Sequence, residues 1–201
     1  MKYSILFFAL MLISCKPETE RLPILGEPTI FKGKKVYPRI GDFSFTDQDG
    51  KTITNRTFEG KIYVADFIFL SCPTICPKMN EELKTVYTIY KENPKVNFLS
   101  HTIDPEHDTV EQLKNFKISQ DLNEHWYFVT GKKERIFEVA KESYFTTAYP
   151  DEKEPGGLVH GGGFLLVDHN RHIRGVYDGT NPEETKRLIN DIRILLKELM
   201  K

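Results

Sequence analysis

Ile62-Tyr63-Val64-Ala65-Asp66-Phe67-Ile68-Phe69-Leu70-Ser71-Cys72-Pro73-Thr74-Ile75-Cys76-Pro77 sets the architecture of the chain. From residue 61 to 69 the chain is almost continuously apolar and rich in β-branched and aromatic side chains. A strand covered on both faces reads this way, because neither face meets water and the alternation of a half-exposed strand is lost. Pro77 then opens a helix to about residue 90, with Met79, Leu83, Val86, Tyr87 and Tyr90 on one face. The two cysteines fall between the carboxyl end of a central strand and the start of a helix. Open α/β sheets form their sites there.

Strands and helices alternate on both sides of that stretch. Upstream, Phe43-Ser44-Phe45-Thr46 and Lys51-Thr52-Ile53-Thr54 flank Asp47-Gln48-Asp49-Gly50, which predicts a β-hairpin turning at Asp-Gly. Downstream, a strand is expected over 96–103, and a helix over 108–118 opened by a capping-box-like Asp108 and Glu111. A short strand over 126–129 and a helix over 132–143 follow. Residues 145–162, with Pro150, Pro155 and several glycines, read as a long loop. Residues 164–167 and 172–177 read as a hairpin around Asp168-His169-Asn170-Arg171. Asn181-Pro182-Glu183-Glu184 opens the last helix, with a cap, a first-turn proline and acids at the positive dipole end. Leu188, Ile192, Leu195 and Leu199 give it an apolar stripe. The expected class is α/β, with helices on both faces of a central sheet and a hairpin at its N-terminal side.

The N-terminus differs in kind. Lys2 precedes an apolar run over 3–13 that ends in Leu12-Ile13-Ser14-Cys15. Such a run is too short to cross about 30 Å of hydrocarbon as a helix, so it reads as a secretory leader. Its end is similar to the bacterial lipobox, which makes residues 1–15 a lipoprotein signal peptide with Cys15 lipidated. Residues 16–36, polar and with three prolines, then read as a flexible tether, and 37–201 as the domain. The protein is expected to be exported and held on the periplasmic side of a bacterial envelope. Hydrophobic residues make up 39% of the chain, and 28 basic residues against 29 acidic ones leave a net charge of −1. With no basic stripe, nucleic-acid binding is excluded.

With Cys15 given to lipid, Cys72 and Cys76 remain as a pair outside the cytoplasm, where a disulfide, a metal site, or both in turn are open. Taking Pro77 as the first helical residue puts Cys76 at the N-cap, where unpaired N–H groups and the dipole favour its thiolate. Two thiolates favour a soft ion such as Cu(I), and a third ligand would complete a trigonal site. Of six histidines, His101 lies within a strand, His107 and His125 at element edges, and His169 and His172 at a hairpin turn. His160 stands apart. Its setting, Gly157-Leu158-Val159-His160-Gly161-Gly162-Gly163, suits a ligand that swings in when metal arrives.

Phe69 through Pro77 resembles the Cys-Pro-x-x-Cys-Pro motif of the SCO/SenC family. Ser100-His101-Thr102-Ile103-Asp104-Pro105-Glu106-His107-Asp108-Thr109 is similar to that family's Ser-x-x-x-Asp-Pro-x-x-Asp-Thr signature, and His125 through Gly131 to its Trp-x-x-x-Thr-Gly stretch. Val159-His160, ahead of Phe164-Leu165-Leu166-Val167-Asp168, takes the place of its metal-binding histidine. The likeness runs through about residues 38–200 in order. It implies a thioredoxin-like fold with a central mixed sheet, and a membrane-anchored copper chaperone serving the binuclear copper centre of cytochrome c oxidase. Cys72, Cys76 and His160 carry over as ligands of copper, as Cu(I) or Cu(II), and Asp104 as an acid near the site. The partner implied is the copper-acceptor subunit of the oxidase. This chain departs from the pattern around the histidine, which Val159 and Gly161 flank in place of an acid and a small hydroxyl residue, and at His107, which replaces an arginine.

An enzyme competes with the chaperone: a thiol–disulfide reductase acting on the acceptor's cysteines or on other exported proteins, itself recharged by a thioredoxin-like reductant. A peroxide reductase is disfavoured, because Phe69 and Pro73 stand where its threonine or serine would precede a nucleophilic cysteine.

Overall fold

The computed structural model describes residues 21–200 except 152, 154 and 155; the leader, Cys15 and residues 16–20 of the expected tether lie outside the described residues. The strands are β1 (Thr29–Phe31), β2 (Lys34–Val36), β3 (Ser44–Asp47), β4 (Thr52–Thr54), β5 (Ile62–Ile68), β6 (Val96–Thr102), β7 (Trp126–Thr130), β8 (Ala148–Pro150), β9 (Leu158–His160), β10 (Gly163–Val167) and β11 (Ile173–Asp178). The helices are α1 (Cys76–Tyr90), α2 (Val110–Ser119), α3 (Lys133–Glu142) and α4 (Pro182–Leu199). Seven strands form one mixed sheet in the order β11-β10-β5-β6-β7-β3-β4. β5, β6 and β7 run parallel, and β10 and β3 flank them antiparallel.

All seven side chains of β5 are buried, as its apolar run predicts. Ile62, Val64 and Ile68 face one core layer with Met79, Leu83 and Val86 of α1, Leu113 of α2 and Leu188, Ile192 and Leu195 of α4. Tyr63, Ala65 and Phe67 face the other, with Ile136, Val139 and Ala140 of α3 and the aromatics of the β3–β4 hairpin. Helices therefore cover both faces. The β3–β4 turn forms at the expected place: Asp47 Oδ1 accepts from the N–H groups of Asp49 and Lys51, and Gly50 takes φ +76°. α4 starts at its expected cap, with Asn181 Oδ1 accepting from the Glu183 N–H at 3.0 Å.

Three expectations need correction. Over its described part the tether is not free. β1 and β2 pair across the turn Lys32-Gly33, both with positive φ, into a hairpin of their own. Before it, the Leu25 N–H donates to the Ile173 carbonyl at 2.9 Å, and the carbonyls of Leu22 and Pro23 accept from Arg174. Arg174 is only 7% exposed and also pairs with Asp168 at 2.9 Å and Glu198 at 3.0 Å. A buried guanidinium has five N–H donors to satisfy, and the passing backbone supplies acceptors the two carboxylates cannot.

Second, residues 145–162 are not all loop: β8 and β9 pair antiparallel, with Ala148 opposite His160. Third, α2 is capped by Thr109, whose hydroxyl accepts from the Gln112 N–H, and not by Asp108.

His101 faces the α3 layer, fully buried among Phe43, Phe45, Phe67 and Tyr144, and neither ring nitrogen has a hydrogen-bond partner among the described residues. Burial drives its pKa from the ordinary 6.5 to about 3. The unfolded chain therefore binds the extra proton first, and stability is full above about pH 6.5 and lost as pH falls toward 3. His101→Phe removes two unsatisfied buried nitrogens and the proton linkage together. It should raise stability at neutral pH by about 1 kcal/mol and flatten the acid limb in denaturant titrations across pH. An unchanged acid limb would assign the loss to other groups.

Candidate metal centre

β5 ends at Ile68, and a tight connection carries the chain to α1. The Cys72 N–H donates to the Phe69 carbonyl at 3.1 Å. Asp108, the expected helix cap, turns back instead: its carboxylate accepts from the Leu70 N–H at 3.1 Å and from the Thr102 hydroxyl. It thereby braces the residues leading into Cys72. The helix begins one residue earlier than expected. Ile75 is its N-cap, without a side-chain capping bond, and Cys76 is the first helical residue.

From the other side of the sequence, β9 brings in His160. The sulfurs of Cys72 and Cys76 and a ring nitrogen of His160 all lie within 4.8 Å of one another. His160 Nε2 is 3.1 Å from Cys76 Sγ, and Nδ1 is 3.2 Å from the Gly161 carbonyl. A carbonyl only accepts, so Nδ1 carries the proton and Nε2 turns its lone pair to the sulfur. The imidazole thus presents a free nitrogen where a metal would need one, oriented by its neighbour's backbone. A Cβ on Gly161 would sit 2.2 Å from Thr146 Oγ1, so any larger residue there would displace the Thr146 side chain just ahead of β8. His160 is 9% exposed, and Phe69 stands edge-on to it at 5.8 Å. The expected swinging ligand is instead a strand-borne residue already beside its partner.

The thiols are unequal. Burial pushes Cys76 well above the ordinary thiol range, and the charges of Cys72 and Asp66 add to that. Burial also raises Cys72, but hydrogen bonds from Cys76 and Thr74 outweigh it and leave Cys72 below its ordinary value. The depressed thiol is therefore Cys72, not Cys76 at the helix start as expected, because at Cys76 burial outweighs the helix dipole. Burial also lowers the His160 pKa, which keeps the ring neutral.

Asp104 is not part of the three-residue cluster. Its carboxylate sits 2.9 Å from His107 Nδ1, so its partner is the neighbouring histidine. The acid that does share the site is Asp66, which the sequence reading passed over. It lines a cavity of about 300 Å³ together with Cys72, Cys76, Asn80, Ser100 and Trp126. Ser100 donates to Asp66 at 2.6 Å and accepts from Trp126 Nε1 at 2.8 Å. Burial raises the Asp66 carboxyl from 3.8 to about 7, partly offset by Ser100. The signal was present: Asp66 is the one charged residue in 62–69.

A model of the SCO1/SenC family matches residues 32–197. The chain belongs to the SCO1/SenC family. It is 32% identical to a solved SCO1/SenC family lipoprotein from Bacillus anthracis, with a TM-score of 0.71, covering 79% of this chain and 95% of that one. BsSco, described as a member of the Sco family of cytochrome c oxidase assembly proteins with a disulfide switch, is 31% identical, with a TM-score of 0.69 over 79% of this chain and 93% of its own. ScoI of Bradyrhizobium japonicum, solved with copper bound, is 28% identical, with a TM-score of 0.63 over 75% and 96%. The SCO1/SenC chain described here shares their thioredoxin-like architecture.

Asp66→Asn removes a charge that helps hold Cys76 protonated. In a Cys72→Ser background it should lower the Cys76 thiol pKa, read from the pH dependence of alkylation by iodoacetamide. Because the folded carboxyl titrates near 7 against 3.8 unfolded, it costs stability as pH rises between those values. The same substitution should therefore stabilise more at alkaline than at acid pH. A pH-independent effect, with no change at Cys76, would make Asp66 a packing residue only.

Proposed function

We propose that this protein is a membrane-anchored copper metallochaperone, which carries copper as cargo on Cys72, Cys76 and His160 to the binuclear copper centre of cytochrome c oxidase. The observation that carries this reading is the convergence of two sulfurs and a correctly protonated imidazole within 4.8 Å. Thiolate and imidazole donors suit Cu(I), and the same set can serve Cu(II) with a further ligand. The donor chemistry thus fits the ion that relatives hold. Membership of a family that includes an oxidase assembly protein supports the acceptor as an oxidase subunit. Lipidation at Cys15, on the periplasmic side, is supported by the leader's sequence and by the lipoprotein relative. No helix among the described residues is long and apolar enough to cross a membrane.

A second reading, a thiol–disulfide reductase, is favoured by one observation: the unequal thiols. A low-pKa Cys72 can attack a disulfide while the protonated Cys76 waits to resolve the mixed disulfide, which is the division of labour exchange needs. A thioredoxin-like reductant would then restore the pair.

Titrating Cu(I) and Cu(II) into the purified full chain separates these readings. Wild type should take up one equivalent, and Cys72→Ser should take up none. His160→Ala should weaken binding by more than about tenfold, or ~1.4 kcal/mol, while leaving disulfide reduction largely intact. Failure of wild type to bind copper in either state would sink the chaperone.

A further inference from the structure

The β1–β2 hairpin is exposed on both faces and pairs with no other strand. Ile30 is 68% exposed and Phe31 63%, while Val36 at its foot is half-exposed. Lys32 at the turn and Lys34 and Lys35 on the return strand surround these apolar groups, and none forms an ion pair among the described residues. Lys34 lies across from Phe31 and Lys35 across from Ile30, and Lys32 Nζ stands 5.4 Å from the Phe31 ring. Over residues 27–39 the only acid is Glu27, against these lysines and Arg39, in a chain whose net charge is −1. Two large apolar side chains ringed by unpaired cations are the composition of an interfacial membrane contact. The apolar groups enter the acyl boundary, and the lysine stems reach back to the headgroups.

The length of the leash decides between a membrane and a protein as occupant. Leu22 and Pro23 are fixed to Arg174. Leu22 is only seven residue steps on from Cys15, and an extended chain spans at most about 3.6 Å per step, so about 25 Å in all. An anchor at Cys15 therefore keeps this edge of the domain near the lipid surface, with the hairpin a few residues further on. We infer that Ile30 and Phe31 insert into the headgroup boundary of an anionic bilayer, with Lys32, Lys34 and Lys35 on its phosphates, so that the hairpin is a second membrane attachment. This rests on the lipid anchor proposed above.

The test uses the full lipidated chain in phosphatidylcholine vesicles with and without phosphatidylglycerol. Phe31→Trp reports depth by its emission and its quenching by brominated lipids. Tyr149→Trp, on the exposed strand β8, is the control, and Trp126, 1% exposed, gives a constant background. The Phe31→Trp signal should shift blue and be quenched several-fold more than the control's. Phosphatidylglycerol should strengthen the effect, and Lys32→Glu/Lys34→Glu/Lys35→Glu should abolish it. Quenching no greater than the control's in a chain that still sediments with vesicles overturns the hairpin contact and spares the anchor. Quenching indifferent to phosphatidylglycerol overturns it as well. A chain that does not sediment at all removes both. A hairpin that stays wet on vesicles but is shielded once the oxidase is added is a protein-docking element, and the proposal fails.

Discussion

β5 is a wall shared by two hydrophobic layers, and the rest of the molecule is arranged around that double burial. A strand with no solvent-facing side favours apolar side chains, or polar ones whose hydrogen bonds are met inside the protein, and it is costly when they are not, as at His101 of β6. Six of its seven residues meet the first condition, and Asp66 meets the second through Ser100 and Trp126. Such a strand is also rigid, so whatever hangs from its carboxyl end is held still. The Cys72–Cys76 connection hangs there, and Asp108 ties it from the neighbouring strand end. Site geometry is thus inherited from core packing.

The parts legible in the sequence are those set by local periodicity and local caps. β5, the apolar face of α1, the Asp47–Gly50 turn and the Asn181 cap each depend on residues within a turn or two of one another. The parts that escaped depend on distant partners. Leu22 and Pro23 look like a tether until Arg174, about 150 residues on, is seen to need their carbonyls. β8 and β9 are three residues each, too short for alternation to register, and glycines and prolines surround them. Asp108 sits where a helix cap belongs, yet its acceptor oxygens go to Leu70 and Thr102. The helix-start argument for Cys76 named a real effect but could not weigh it against burial.

At the site, the three donors were identified from the sequence by resemblance, and their protonation was not. In the metal-free protein Cys76 keeps its proton, within reach of both the His160 lone pair and the Cys72 sulfur. An incoming ion must take the place of that proton, so uptake and release are coupled to proton movement. Asp66, its carboxyl raised to about 7 in the cavity it shares with both cysteines, is an acid whose charge Cys76 feels. The same arrangement explains why a metal carrier and a thiol exchanger are hard to tell apart here. Both reactions begin by deciding which sulfur gives up its proton.

The direction of β5 has one more consequence. Val167 pairs with Tyr63, so the β10–β11 turn lies at the amino end of β5, and the foot of the β1–β2 hairpin lies there with His172. The cysteines follow the opposite end. Seven residues of strand at about 3.3 Å each make a pedestal about 20 Å tall. A protein standing on its hairpin end would hold its cargo clear of the lipid headgroups, facing away from the bilayer. Delivery would then be a matter of height, and an acceptor would have to present its own copper ligands at that elevation above the membrane.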